Sequence, residues 1–414
     1  MKKALLFTYT FLILSFWANA QTSDEGPKYG ISFSGFIKND VFYDTRQTSA
    51  ANAPREGHFF LLPDNVLLDI NSKDLNANPS FHMLNIQTRL KADINGPDAF
   101  GAKTSGVIEM EFFGTSDADI NGMRLRHSFV KLDWAKTTLL VGQYWNPMFP
   151  AESFPGTISF NTGVPFTPFS RNPQIKITQK FSTLSISLTA YSQRDFTSPG
   201  PDGNSNKYLR NAGLPDINLQ IKSPIGKVFT AWVGADFKTI LPELKTTANI
   251  ETNVTLKSLS TYATANIKTQ AFTLTAMAIY GQNATDLMMM GGYAVSEITD
   301  SVTMFKKYTN LNCASFWADL SSTGKKFKVG VFSGYSRNLG AKDLISGPIY
   351  ARAGNVDHLF RISPRLILIN GNLSFAFEIE NTVAAYGNIV SYGKVTDTKN
   401  VSNTRFLLST IYKF

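Results

Sequence analysis

From residue 30 to residue 414 apolar and polar positions alternate with a period of two, in segments of roughly ten residues. Connections rich in Gly, Asn, Asp, Ser and Pro separate the segments, and no helical period of comparable length intervenes. In the first segment Ile31, Phe33, Gly35, Ile37, Val41 and Tyr43 share one face, and Ser32, Ser34, Lys38, Asp40 and Asp44 share the other. Over 81–94, His82, Leu84, Ile86, Thr88, Leu90 and Ala92 oppose Asn85, Gln87, Arg89, Lys91 and Asp93. The split recurs with Ile108, Met110 and Phe112 against Glu109 and Glu111, and with Phe375, Phe377 and Ile379 against Glu378 and Glu380. Each segment reads as a β-strand with one greasy and one wet face, a pattern that a soluble sandwich also shows.

Connection length separates the two readings. Short joints (Ala135-Lys136, Ser182-Thr183, Ser223–Lys227, Thr269-Gln270, Ser321–Lys326, Asn370-Gly371) alternate, with few exceptions, with long ones near 44–80, 144–173, 193–214, 239–256, 282–310, 337–356 and 386–401. A transmembrane antiparallel barrel has this asymmetry, with tight periplasmic turns and longer outer loops. The expected strands lie near 30–43, 81–94, 105–114, 123–134, 137–143, 174–181, 184–192, 216–222, 228–238, 257–268, 271–281, 311–320, 327–336, 356–368, 373–385 and 402–414, sixteen in all. The even count returns the C-terminus to the side where the barrel began. In hydrocarbon every backbone N–H and C=O must pair internally, and a closed sheet does this without helices. Aromatic belts are expected at both interfaces, with Trp134, Phe229, Tyr280, Tyr335 and Tyr386 near strand ends.

The ends of the chain fit such a destination. Lys2 and Lys3 precede an apolar run from Ala4 to Trp17 and then Ala18-Asn19-Ala20, the layout of a secretory signal peptide over 1–20. A short segment, 21–29, would follow, and the barrel would occupy 30–414. At the other end Phe406, Leu408, Thr410, Tyr412 and the terminal Phe414 lie on one face, as in the insertion signal read by the outer-membrane assembly machinery. Without Lys2 and Lys3 the chain keeps 38 basic against 31 acidic residues, a formal charge of +7. No run of five basic residues accompanies it, so nucleic acid is not an expected partner. Cys313 stands alone, which excludes an internal disulfide framework.

Several segments resemble the DcaP-type outer-membrane porins of Gram-negative bacteria. They are Gly30-Ile31-Ser32-Phe33-Ser34-Gly35-Phe36-Ile37-Lys38-Asn39-Asp40, Arg124 to Leu132, Leu140-Val141-Gly142-Gln143-Tyr144-Trp145, Arg361-Ile362-Ser363-Pro364-Arg365, and Arg405 to Phe414. The resemblance implies a sixteen-stranded barrel, usually a homotrimer, that passes small and often anionic solutes by diffusion. The coiled N-terminal extension of some members is not evident in the nine residues 21–29.

Selectivity in a porin belongs to a constriction set by loop packing and charged side chains. The 144–173 connection carries Phe149, Phe154, Phe166 and Phe169 among several prolines, with no Lys or Arg until Arg171, and is expected to fold into the lumen. Pore-lining candidates are Lys38, Asp40, Arg89, Lys91, Glu109, Glu111, Arg361, Arg365, Glu378, Glu380 and Arg405, all on wet faces. A ladder of Arg89, Lys91, Arg361, Arg365 and Arg405 facing Asp40, Glu109 or Glu111 would favour anions, whereas internal salt bridges would only neutralise a polar interior; both readings stand at this level. Arg124 and Arg126 share parity with Val130, Leu132 and Trp134 and are expected at the outer rim.

Other chemistries have less to support them. His127 and Ser128 are adjacent and so face opposite sides of a strand. No G-x-S-x-G, H-E-x-x-H or P-loop pattern occurs, and neither an enzyme, a cofactor nor a metal site is expected, with Asp117 and Asp119 as weak calcium candidates. A substrate-specific channel is the main alternative to a general porin, ahead of a barrel enzyme or an adhesin.

Overall fold

The computed structural model describes residues 30–49, 54–114 and 116–414; the expected signal peptide and the 21–29 segment lie outside the described residues. Nineteen strands form one antiparallel sheet. Two of them, Ser80–Leu84 and Arg89–Asn95, are halves of a single broken strand, since both pair with the first. Two more, Gly291–Ile298 and Ile349–Arg352, pair with each other, and the former also pairs with the start of the strand Lys306–Ser322, so both are loop strands added to the wall. Sixteen barrel strands remain, labelled here in chain order. They are β1 (Gly30–Asp44), β2 (the two halves), β3 (Lys103–Glu111), β4 (Arg124–Asp133), β5 (Thr137–Trp145), β6 (Arg171–Lys180), β7 (Ser185–Tyr191) and β8 (Asp216–Ile225). They continue with β9 (Phe229–Ile240), β10 (Leu256–Lys268), β11 (Phe272–Gln282), β12 (Lys306–Ser322), β13 (Phe327–Ala341), β14 (Val356–Asn370), β15 (Leu373–Ile389) and β16 (Val395–Lys413).

Closure comes from β1 against β16, in register from Phe36↔Lys413 to Asp44↔Arg405. Gly35 sits at this seam because a Cβ there would stand 2.2 Å from the Arg89 carbonyl oxygen and 2.9 Å from the Phe414 ring. The seam leaves the sheet without a free edge, which is what a lipid environment demands of strands.

The alternation expected from the sequence organises the wall. Ile31, Phe33, Val233, Phe377 and Leu408 are exposed on the outside, while Lys38, Asp40, Asp236, Glu378 and Arg405 are buried within. Phe406, Tyr412 and Phe414 are all on the outward face of β16.

Three expectations are corrected. In 81–94 the outward residues are Phe81 and Met83 before the break and Leu90 after it. The irregular stretch 85–88 inserts a change of phase, so His82 and Leu84 point inward, and His82 stacks on Phe42 at 5.1 Å. The connection placed at 386–401 is only 390–394, because β15 and β16 stay paired up to Ile389↔Val395. Tyr386 is not interfacial: it is buried and donates its hydroxyl to the Pro63 carbonyl oxygen at 2.8 Å.

The wall is uneven in height. β5 to β8 have nine, ten, seven and ten residues, whereas β12 to β16 have 17, 15, 15, 17 and 19. Four of the outer loops pack inside the barrel. The first outer loop (45–79) contributes Phe59 and Phe60, the third (146–170) Met148, Phe149, Phe160, Phe166 and Phe169, the fourth (192–215) Phe196, and the sixth (283–305) Met288 to Met290. They form one apolar cluster inside the barrel, with ring centroids 4.7 Å apart for Phe59–Phe113 and 4.6 Å for Phe149–Phe154.

Candidate functional site: the charged interior and the third loop

The third loop folds into the lumen because its apolar residues find each other there and its backbone finds partners on the wall. A buried chain segment needs its N–H and C=O groups satisfied. Glu378 on β15 accepts the N–H groups of Ile158 and Ser159 at 2.8 and 3.0 Å, and Lys38 on β1 donates to the Ile158 carbonyl oxygen at 2.7 Å. Asn161 donates to Glu380, and Ser315 donates to the Phe166 carbonyl oxygen. The Phe166 ring rests on Gly334 of β13, where an added Cβ would come within 2.4 Å of it. Phe149, Phe166 and Phe169 are fully buried, and Phe154 packs at the margin of the same cluster.

Arg361 on β14 ties two loops at once. It donates to the Val164 carbonyl oxygen of the third loop at 2.8 Å and to the Leu61 carbonyl oxygen of the first at 3.3 Å, with Thr382 and Glu380 completing its surroundings. Arg365 makes two 2.7 Å hydrogen bonds to Asp319, and Arg405 makes two to Asp44 at 3.0 and 2.8 Å over the Phe42 ring. Lys38 pairs with Asp40 at 3.0 Å. Lys38, Arg361, Arg365 and Arg405 are therefore internally neutralised, each with a carboxylate beside it.

A second cluster occupies β2, β3, β4 and β6. Glu111 is shared by Arg89 (3.3 Å), Arg124 (2.6 Å), Arg126 (2.5 Å) and Arg171 (3.2 Å). Glu109 holds Arg126, and Asp195 of the fourth loop holds Arg124 and Arg171. The rings of Phe113, Trp145 and Phe169 lie against these guanidinium groups at 5.0 to 5.5 Å. Arg124 and Arg126 face inward, not toward the rim. The β3–β4 register slips between Glu109↔His127 and Met110↔Leu125, and the extra residue of this bulge reverses the face of everything above it. The bulge shifts the hydrophobic period by one residue, from outward Val130 to outward Leu125 and Met123, so parity counted from Trp134 misplaces both arginines.

A third group lies lower on the short side. Lys91 pairs with Asp93 and Lys131 with Asp133, both at 2.7 Å and partly open to solvent. Lys176, Lys180 and Lys222 line a cavity of about 250 Å³ under the third loop, together with Ser185, Ser187, Gln220 and Trp232. Lys222 meets Glu152, whose carboxylate reaches down from the loop. Lys176 and Lys180 have no carboxylate within ion-pair distance among the described residues. Inward parity along 171–180 marks both in the sequence, although the candidate set omitted them. Asp117–Asp119 form a single 3-10 turn in the second outer loop.

In the first loop, a short helix (Pro54–Phe60) places His58 against Phe42 and Phe160. Burial, with Arg405 and His82 adding to it, pushes the His58 imidazole down to about 3, so it is held neutral.

A closed sixteen-stranded barrel with its third loop bound inside is the fold of the outer-membrane porins. Among solved structures the chain is similar to the outer-membrane channel DcaP of Acinetobacter baumannii, with a TM-score of 0.69, 16% identity, and 93% of this chain and 97% of that one covered. It is also similar to an anion-selective porin from Comamonas acidovorans (TM-score 0.55, 10% identity, 94% and 100% covered). A trimer form of the outer-membrane protein OmpT of Vibrio cholerae is similar too (TM-score 0.51, 10% identity, 93% and 99% covered). No protein-family model matches the sequence, and no curated protein matches it.

Proposed function

We propose that this protein is a passive channel of a Gram-negative outer membrane for small hydrophilic solutes, that it prefers anions, and that it performs no bond chemistry. The observation that carries the preference is the lysine row on the low side: Lys176, Lys180 and Lys222 line a cavity beneath the third loop in which Glu152 is the one acid, an excess of two positive charges. Uncompensated charge on the wall of a low-dielectric cleft raises the local concentration of counter-ions. The arginines of the tall side contribute little field of that kind, since Asp44, Asp319 and Glu380 cancel them.

In this reading Phe149, Phe154, Phe166 and Phe169 give the third loop its fixed shape and so set the constriction. Arg89, Lys91, Glu109 and Arg171 stand on the wall that faces it. Residues 1–20 direct export, and Phe406, Tyr412 and Phe414 are read by the assembly machinery. A homotrimer is the expected assembly, in keeping with the trimer form of the V. cholerae OmpT. The aromatic and methionine packing of the first, third, fourth and sixth loops favours a second reading within the same class, a narrow channel selective for particular solutes.

Proteoliposome swelling tests both. A general porin admits a small neutral sugar and, faster, a small organic anion, while an organic cation of the same size enters slowest. Entry of one anion with exclusion of the sugar would select the narrow channel. Absence of swelling with correctly folded protein would overturn the proposal.

A further inference from the structure

We infer that Glu152 is a tethered competitor for a carboxylate-binding subsite formed by Lys176, Lys180 and Lys222, so that the third loop partly occupies the position a permeating carboxylate would take. The inference rests on the channel reading above and deepens it.

Register builds the subsite. Lys180 pairs with Ser185, Ser185 with Lys222, and Lys222 with Trp232, which sets these four inward residues in one row across β6 to β9. With neighbouring strands about 4.8 Å apart, the Cα atoms of Lys180 and Lys222 lie roughly 10 Å apart, a span that two lysine side chains can close around one carboxylate. Lys176 enters four residues, two repeats of the pleat, further along β6 and lines the same 250 Å³ cavity. The Lys222 ammonium lies 5.5 Å from the centroid of the Trp232 ring, which fixes its arm.

Among the residues lining this cavity Glu152 is the one acid facing three lysines. It comes from a single 3-10 turn of the loop, Ala151–Ser153, and its side chain is 65% exposed while paired to Lys222. An exposed carboxylate on a loop is neither buried nor packed in place, so a solute carboxylate at sufficient concentration can take over its lysine. A tethered group behaves as a fixed local concentration of ligand, and removing it strengthens the apparent affinity for the free one. The subsite thus recognises a carboxylate because the protein already supplies one to it.

The test uses the mature protein in planar bilayers, with acetate titrated against a constant chloride gradient. Wild type, Glu152→Gln, and Glu152→Gln combined with Lys222→Gln are compared, and heat-modifiable migration on gels verifies that each folds. Glu152→Gln is expected to shift the reversal potential toward chloride and to lower the acetate concentration for half-block at least about threefold. Adding Lys222→Gln is expected to cancel both changes. Equal half-block in wild type and Glu152→Gln, with wild type still anion-selective, would overturn this inference and leave the channel reading intact. Cation selectivity of wild type would overturn the channel's anion preference itself, and the subsite with it.

Discussion

Three arginines on the tall side of the barrel and three lysines on the low side face inward and are used differently. On the tall side Arg361, Arg365 and Arg405 are buried, each beside its own carboxylate, and Arg361 also binds loop carbonyl groups. On the low side Lys176, Lys180 and Lys222 are half-open to a cavity with Glu152 as their single acidic neighbour there. Charge that is sealed and paired holds a loop in place. Charge that faces water without a partner acts on solutes. Counting basic residues in a lumen does not separate these roles; burial and pairing do.

The contrast can be broken most severely in the sealed part. Glu111→Gln leaves four guanidinium groups without their shared carboxylate, and breaking a buried charge network costs about 3–5 kcal/mol. The expected result is a clear drop in the temperature at which the folded gel band is lost, with little yield of folded protein on refolding. Gly334→Val tests loop seating rather than charge. The new side chain would overlap the Phe166 ring, so the third loop should leave its seat, and single-channel conductance should rise with more frequent flicker while the barrel remains folded.

Lys176→Gln sharpens the other half of the comparison. It removes an unpartnered charge, so stability should change by no more than about 0.5 kcal/mol. The anion-to-cation permeability ratio should fall nonetheless. The pH response of the first loop tests its seating without any substitution. His58 is ordinarily half-protonated near 6.5 and is held down to about 3 when seated. The released loop therefore binds more protons between those values, and seating is strongest above pH 6.5 and weakens as pH falls, by at most about 1.4 kcal/mol per unit. Flicker should increase between pH 6.5 and 4.5 and stay flat above it, and His58→Phe should remove the dependence.

Much of this architecture was legible because a barrel writes its geometry into a period of two and into alternating connection lengths. Strand order, inward Lys38, Asp40, Glu378 and Arg405, and outward Phe406 and Tyr412 follow from parity alone. Parity fails where the backbone adds a residue: at the bulge beside Arg126 and in the break at 85–88, which together misplaced Arg124, Arg126 and His82. Pairing across the barrel was not legible either. Arg361 meets the third loop and the first loop through contacts 197 and 300 residues apart in the chain, and no local pattern announces them. Lys176 and Lys180 were within reach of the parity rule, but their significance comes from sharing one cavity and one acid, Glu152, with Lys222, which only three-dimensional placement reveals.

The most direct test of the division between sealed and open charge is the reversal potential of single channels under a tenfold KCl gradient, measured for wild type and for Lys176→Gln/Lys180→Gln. Anion selectivity in wild type that is largely lost in the double variant, with unchanged thermal stability, is the predicted result. Anion selectivity that survives in the double variant, or cation selectivity in wild type, would contradict it.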